Sequence, residues 1–196
     1  MRYLWNGKVV LTIVGLCCAG SLNVHGGAAG SLVPLPSLET LALTYGTPKQ
    51  LARFLRETIQ LTTDEALFGA DDYWQTPEEI LERRAGDCED FALLAQAILE
   101  RQGVEAYVFS VYGAGGYAHT VCVFVEGGRY SVINQNRVRQ YRAPTLEAVA
   151  GRLYAGWRYG AVAERVGSRG APTRFIWNPD PSPALSAPAA DSFFSF

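Results

Sequence analysis

The chain contains few of the residues that build stapled or metal-rich scaffolds: its 196 residues include four Cys, two His and one Met. So few cysteines exclude a disulfide-dense fold, and they make any pairing of Cys with His worth examining. An excess of one charge is also absent, because 17 basic residues face 19 acidic ones. No broad positive field is available to hold a nucleic-acid backbone, so nucleic acid is not an expected partner.

The N-terminus lacks an apolar run long enough for a retained transmembrane helix. Arg2 and Lys8 precede an apolar stretch at residues 9–22, which is shorter than the roughly 20 residues that span a bilayer. Small residues follow it, so the pattern predicts a cleaved secretory signal peptide at residues 1–29 and an exported mature protein. Anchoring by an uncleaved signal, or by a lipid on Cys17 or Cys18, is the weaker alternative.

Capping residues and hydrophobic periodicity predict helices in the first part of the mature chain and strands in the second. Thr47 with Pro48, and Thr76 with Pro77, are typical helix starts, and Asp87 can cap a third helix. After Gly103 the apolar period changes from helical to alternating, which predicts an antiparallel meander. Helices followed by strands indicate an α+β domain. The predicted strands cover residues 104–112, 117–126 and 129–133.

The domain organisation follows from these elements and from composition. Residues 30–46 are predicted to be a linker with a short helix at 38–43, and residues 47–178 form the predicted domain. Residues 179–196 are rich in Pro, Ala and Ser, which predicts a flexible tail. No internal repeat is present.

One cysteine lies where a helix would activate it. Cys88 falls in the first turn of the third predicted helix, where unpaired backbone N–H groups favour a thiolate. His119 falls on the second predicted strand, and Asn134 closes the third, so the two can lie side by side. This set predicts a thiolate nucleophile, an imidazole base and an amide that orients the ring, which together perform acyl transfer. Asn136 is a second candidate for the orienting role.

Strand alternation bears on the alternatives for Cys88. His119 and Cys122 lie on opposite faces of their strand, so if His119 faces the helix that carries Cys88, Cys122 faces away. That expectation disfavours the Cys88–Cys122 disulfide that is the default in an exported protein. A metal site of Cys88, His119 and Cys122, and a His119 that is only a satisfied core residue, stay open as further alternatives.

Four segments carry a resemblance to a known family: 72–77 (DYWQTP), 86–92 (GDCEDFA), 118–119 (AH) and 132–134 (VIN). Together they resemble the bacterial transglutaminase-like cysteine proteinase family, within the transglutaminase-like, papain-related superfamily. The resemblance implies a transglutaminase-like α+β fold, with the nucleophile at the N-terminus of a central helix packed on an antiparallel sheet. It also implies a periplasmic peptidase acting on protein or peptide through Cys88, His119 and Asn134. The family usually has Asp where Asn134 stands.

Acidic residues crowd the predicted nucleophile. Asp87 and Glu89 flank Cys88 and oppose a thiolate, although acids are also ordinary cap and dipole partners at a helix N-terminus. The alternative is a calcium ion, since carboxylate oxygens are its preferred ligands. Periplasmic proteases of the resembled family are calcium-dependent, and their acidic pair corresponds to Asp87 and Glu89. The sequence itself requires no cofactor.

Three functions therefore compete. The first is a cysteine peptidase working through a thioester acyl-enzyme, and the second is a protein-glutamine acyltransferase using the same intermediate. The third is a catalytically silent binding module or cell-surface accessory protein, for which the aromatic residues 193–196 could dock a partner.

Overall fold

The computed structural model describes residues 35–163 and 172–180. The predicted signal peptide, with Cys17 and Cys18, lies outside the described residues, as do residues 181–196 of the predicted tail. Among the helices that are described, none has the length and apolar character needed to cross a membrane.

The N-terminal part of the described chain is helical, and side-chain caps fix where its helices begin. The Thr47 hydroxyl accepts the backbone N–H of Gln50, at 3.2 Å, with Pro48 in the first helical position. Thr76 and Glu79 form a reciprocal capping box at 3.2 and 2.8 Å. Both predicted starts are confirmed. The helices are α1 (Leu38–Thr44), α2 (Pro48–Thr58), α3 (Asp64–Phe68), α4 (Pro77–Arg83) and α5 (Cys88–Arg101).

Six strands in the described part of the chain form one antiparallel sheet, in the order β6-β5-β4-β3-β7-β8. The first three strands of this sheet in chain order, β3, β4 and β5, pair as the predicted meander, so this expectation is confirmed. A small parallel pair, β1 (Gln60–Leu61) with β2 (Ala85–Gly86), stands apart from the sheet. The strands of the sheet are β3 (Ala106–Gly113), β4 (Ala118–Glu126), β5 (Arg129–Asn134), β6 (Arg137–Ala143), β7 (Trp157–Ala163) and β8 (Arg174–Trp177).

The sheet separates two hydrophobic clusters, one on each face. Helix α5 is buried along most of its length and packs against one face together with the N-terminal helices. Helix α6 (Leu146–Leu153), which Thr145 caps, packs against the other face. The described residues therefore form an α+β domain with α5 at its centre, as expected from the sequence.

Helix α1 lies within residues 30–46, where a short helix was predicted inside a linker. Its side chains Leu38 and Leu41 are buried in the same cluster as α5. In addition, Gln102 at the end of α5 donates from Nε2 to the carbonyl oxygen of Ala42 at 3.0 Å. This part of the stretch contributes directly to the domain core.

The orientation of β4 corrects one expectation. Cys122 lies in the cluster formed with α5, whereas Val121 and Val123 lie in the cluster formed with α6. By strand alternation His119 shares the α6 face, so the two residues do lie on opposite faces, but the condition that His119 faces α5 is not met and Cys122 faces the helix instead. Cys88 and Cys122 are nevertheless both free thiols. The reason is their placement: Cys122 lies in the core under α5, whereas Cys88 begins that helix.

Candidate active site

Cys88 occupies the first turn of α5, directly after its N-cap residue Asp87. The half-buried thiol donates a hydrogen bond to Glu89, with 3.1 Å between Sγ and Oε2. The backbone N–H of Thr120 on β4 also hydrogen-bonds the sulfur and favours its ionised form. Thr120 directly follows His119, so the sulfur lies beside the part of β4 that carries the histidine.

The thiol is held strongly in its protonated form by its surroundings. Burial raises the pKa of Cys88 well above its ordinary value, and the negative charges of Glu89 and Asp87 raise it further. These effects exceed the favourable ones from the helix N-terminus and from the N–H of Thr120. Removing or neutralising the charge of Glu89 or Asp87 would therefore lower the pKa of Cys88 and favour the thiolate.

His119 and Asn134 are brought together as the spacing predicted. The His119 Nε2 atom lies 2.9 Å from the Asn134 side-chain oxygen, across the β4–β5 pair. An amide oxygen only accepts, so Nε2 carries the proton and Nδ1 is the basic nitrogen of the neutral ring. Burial lowers the pKa of His119, and the Asn134 bond opposes that effect. Asn136 lies in the turn after β5 rather than against the His119 ring.

His119 and Asn134 lie where the β4–β5 ladder ends. The last paired positions are Cys122 and Ile133, so the start of β4 has no partner on β5. The start of β4 is therefore unpaired on its β5 side, although it pairs with β3 on the other side. His119 and Asn134 approach the same edge from the other face of the sheet.

Acidic side chains form a cluster behind Cys88. Carboxylate oxygens of Asp64, Asp87 and Asp90 lie within 4.8 Å of one another, and so do those of Asp64, Asp72 and Glu89. One oxygen each of Asp64 and Asp87 is buried without a hydrogen-bond partner among the described residues. Buried, unsatisfied carboxylate oxygens at this spacing fit a hard divalent cation such as calcium.

The electrostatics of the cluster indicate excess negative charge. Burial, together with hydrogen bonding and charge from Glu89, raises the pKa of Asp87 to about 8. Burial likewise raises the pKa of Asp90 to about 7, although hydrogen bonds from Gln75 oppose this. Burial also raises the pKa of Glu89. A bound cation would favour the ionised form of each carboxyl.

Asp90 also has a structural role. Its carboxylate accepts the backbone N–H of Gln75 at 3.1 Å, the Gln75 side-chain amide at 2.6 Å and the Asp87 backbone N–H at 3.3 Å. These bonds join the loop before α4 to the first turn of α5. Gly86 has no side chain because a methyl group there would overlap the Asp90 carboxylate.

Sequence reasoning placed Asp87 and Glu89 in the acidic cluster but missed Asp64 and Asp72. Asp64 begins α3, where it is buried, and its Oδ2 accepts the backbone N–H of Tyr73 at 2.5 Å. An acid at a helix start is ordinary, so the signal in the sequence was only the density of acids at residues 64–72. The described metal-capable groups do not include His119 or Cys122, in contrast to the Cys–His–Cys alternative.

Comparison with known proteins decides the family. The family model described as a transglutaminase-like domain matches residues 42–142, which is just over half of the 196-residue chain. The chain belongs to the transglutaminase-like domain family. The match covers every element from α2 to β5, including Cys88, His119 and Asn134. No curated protein matches the chain.

Solved structures with a related fold include Legionella pneumophila LapG, at 21% identity and a TM-score of 0.37, covering 54% of this chain and 77% of LapG. The calcium-bound form of LapG covers 80% of this chain and 95% of its own, at 17% identity and a TM-score of 0.43. A candidate cysteine protease from Cytophaga hutchinsonii aligns at 15% identity and a TM-score of 0.42, covering 72% of this chain and 49% of its own.

Proposed function

We propose that this transglutaminase-like protein is a cysteine hydrolase that cleaves a peptide or side-chain amide bond through an acyl-enzyme on Cys88. The observation that carries the proposal is the His119–Asn134 hydrogen bond at Nε2, on the strand whose next residue, Thr120, lowers the pKa of a cysteine that begins a helix. This bond fixes both the tautomer and the orientation of the ring, which a general base requires. A histidine with only a structural role would not require a cysteine at the start of a helix, near the backbone N–H of the next residue, Thr120.

In this proposal each residue has one task. His119 Nδ1 takes the Cys88 proton, and the resulting thiolate attacks the amide carbonyl to form a carbon–sulfur bond. The imidazolium then gives its proton to the leaving amine as the carbon–nitrogen bond breaks. Water hydrolyses the thioester to a carboxylic acid and regenerates the thiol. Asn134 keeps the ring oriented throughout, and the Cys88 backbone N–H is one donor to the oxyanion.

The proposal includes calcium in the acidic cluster, held by Asp64, Asp87 and Glu89, with Asp72 at its edge. Bound there, a divalent cation supplies positive charge that offsets the carboxylates beside the sulfur. Asp87 and Glu89 would then orient the first turn of α5 instead of opposing the thiolate.

A second candidate is a silent binding module with the same fold. The observation that favours it is the raised pKa of Cys88, which leaves the thiol unreactive without a charge partner. An acyltransferase differs from the hydrolase only in the nucleophile that resolves the thioester, an amine instead of water. The proposal further places the enzyme in the periplasm, exported by residues 1–29, with a domain that comprises the predicted residues 47–178 and helix α1, which packs in the same core.

The experiment is covalent labelling by a thiol-reactive peptide probe, with calcium and with a chelator, followed by intact-mass analysis. In the mature protein, from which the predicted signal peptide with Cys17 and Cys18 has been removed, we expect one label on the wild type, none on Cys88→Ala, and unchanged labelling of Cys122→Ala, because Cys122 is fully buried. His119→Ala should lose most of the labelling rate. Slow and equal labelling of Cys88 and Cys122 under both conditions would identify the binding module instead.

A further inference from the structure

A small cavity opens on the α5 face of the sheet, between β3, β7 and β8. Its floor consists of small side chains, Ser110 on β3 and Ala161 on β7, which are directly paired in the sheet. Larger residues at these two positions would fill the space. The cavity volume is about 210 Å³, below the roughly 300–1,000 Å³ typical of sites for whole small molecules. A single side chain is the ligand that this space suits.

The walls of the cavity are aromatic. Tyr112 and Tyr159 stack with their ring centroids 4.6 Å apart and an interplanar angle of 13°. Phe175 on β8 and Trp74 from the loop before α4 complete the walls. Phe175 is 52% exposed, which is unusual for a large apolar side chain at the mouth of a cavity. Flat apolar walls of this kind favour an aromatic occupant, because rings stack on them.

One floor residue of the cavity contacts a residue that influences Cys88. The hydroxyl of Ser110 in its floor lies 2.8 Å from the hydroxyl of Thr120, and the backbone N–H of that threonine hydrogen-bonds the Cys88 sulfur. At the other end of the floor, burial and the charges of Tyr159, Asp72 and Glu89 raise the pKa of Tyr112. Ser110 and Tyr112 therefore link the cavity lining to Thr120 near Cys88 and to the charges of the acidic cluster.

The Trp74 wall is also fixed relative to the nucleophile. Its neighbour Gln75 is tied to Asp90 in the first turn of α5 by bonds of 3.1 and 2.6 Å, and to the Ala85 carbonyl at 3.0 Å. The Trp74 ring itself packs against the α5 core cluster. A wall anchored to the helix that carries Cys88 can hold a substrate side chain in register with the sulfur.

We infer that this cavity is a specificity subsite that takes an aromatic side chain of the substrate polypeptide, adjacent to the amide attacked by Cys88. The inference rests on the proposed function, since it names the side chain that the hydrolase selects. Acidic side chains find no positive charge among the lining residues, and small ones leave the aromatic walls uncovered. Nothing in the floor or walls supplies a carboxylate to pair with a cationic side chain.

The test uses peptidyl chloromethyl ketones, which alkylate a thiolate with loss of chloride, on the full chain in the presence of calcium. Two series, acetyl-X-Ala and acetyl-Ala-X, carry Phe, Leu, Ala, Arg or Glu at X, and iodoacetamide is the probe without a side chain. We expect the Phe probe of one series to label Cys88 at least about tenfold faster than its Ala counterpart. Equal rates for Phe and Ala, or faster labelling by Arg or Glu, would overturn the subsite.

Two variants test whether the difference in labelling rate between the Phe and Ala probes arises in this cavity. Ala161→Leu fills the floor and should reduce the Phe-to-Ala rate ratio to near one, with the iodoacetamide rate unchanged. Phe175→Ala removes an exposed side chain of the wall, so it tests the same point without disturbing the core. It should reduce the Phe-to-Ala rate ratio at least threefold. The control is Leu43→Ala, which removes a side chain that is 88% exposed on α1. A ratio that persists in both cavity variants contradicts the inference.

The two proposals fail differently in this experiment. If iodoacetamide and every peptide label Cys88 no faster than Cys122, the proposed hydrolase is wrong. If iodoacetamide labels Cys88 selectively but the peptides show no side-chain preference, the hydrolase stands and the subsite is wrong.

Discussion

The Cys88 thiol donates a hydrogen bond to the carboxylate of Glu89, the next residue in the chain, at 3.1 Å. The donor is the group that must lose its proton, and the acceptor carries the charge that resists that loss. The proposed nucleophile and a carboxylate that raises its pKa are thus adjacent in the chain. The reactivity of the sulfur therefore depends on what neutralises the charge of Glu89.

Glu89→Gln should therefore speed alkylation of Cys88 when a chelator is present. The substitution removes one of the negative charges that raise the pKa of Cys88, and a shift of one pKa unit is worth about tenfold in thiolate population. The rate of iodoacetamide modification, followed by mass spectrometry between pH 6 and 10, measures this effect. Calcium should accelerate the wild type more than the variant.

The matched control for that experiment is Glu82→Gln, the same change at an exposed position on α4. It should behave as the wild type under both conditions. Slower or unchanged alkylation of Glu89→Gln would show that the carboxylate does not oppose the thiolate.

Asn134 offers a second prediction, because its oxygen binds the proton-bearing nitrogen of His119. Asn134→Ala removes the interaction that opposes burial, so the pKa of His119 should fall further, and peptide-probe labelling should slow about tenfold or more. Asn134→Asp introduces a negative charge and should raise the pKa of His119 above that of the wild type. Titration of the imidazole carbon resonance by NMR distinguishes the variants.

Asn136→Ala serves as the comparison, since it removes another asparagine only two residues away. We expect it to leave both the His119 titration and the labelling rate close to wild type. A larger effect of Asn136→Ala than of Asn134→Ala would show that Asn136, and not Asn134, orients the ring.

Much of the fold could be predicted because local chemistry specifies it. The caps at Thr47 and Thr76, and the alternating meander after Gly103, depend on residues close together in the sequence. Strand β6 was missed because its alternating positions carry Arg137, Arg139 and other polar residues, as suits an edge strand, rather than a buried apolar face. Strands β7 and β8 were missed as well, although both pair in the main sheet.

The site was predictable to the extent that it follows the strand register. His119 and Asn134 meet because the turn at Gly127 and Gly128 fixes the β4–β5 pairing. Which face of β4 the helix covers is a tertiary choice that sequence alternation alone cannot make, so the sequence could not decide whether His119 or Cys122 faces α5. Asp64 and Asp72 join the cluster through a loop that returns to α5, which has no periodic signature.

The raised pKa values of Asp87 and Asp90 predict how stability depends on pH without calcium. Each carboxyl has a higher pKa in the folded state, about 8 and about 7, than in the unfolded chain. As pH rises, the unfolded state therefore releases these protons first. The contribution of the two protonated carboxyls to the free energy of unfolding is complete below about pH 4 and is lost as pH rises to about 8. In a chelator, the melting temperature should fall across this range.

Calcium should flatten that decline, because it favours the ionised carboxylates in the folded state. Asp87→Asn should also flatten it in the chelator, by removing one of the two titrating groups. A melting temperature that rises steadily from pH 5 to 8 in the chelator would contradict the buried, repelling arrangement of these acids.

Gly86 yields the last prediction, which tests the geometry that joins the loop before α4 to the first turn of α5. A methyl group at this position would overlap the Asp90 carboxylate, which holds Gln75 and Asp87 in place. Gly86→Ala should therefore destabilise the domain by about 3 kcal/mol in chemical denaturation and slow Cys88 labelling in the folded fraction. Gly46→Ala is the control, since a methyl group there meets no atom within 4 Å. The double change Gly86→Ala with Asp90→Gly also removes the Asp90 Cβ, which the new methyl group would meet at 2.6 Å, so it should relieve the overlap but not restore labelling, because the bonds that orient the first turn of α5 are lost with the carboxylate. Full recovery of labelling in the double variant would show that Asp90 only fills space beside the nucleophile.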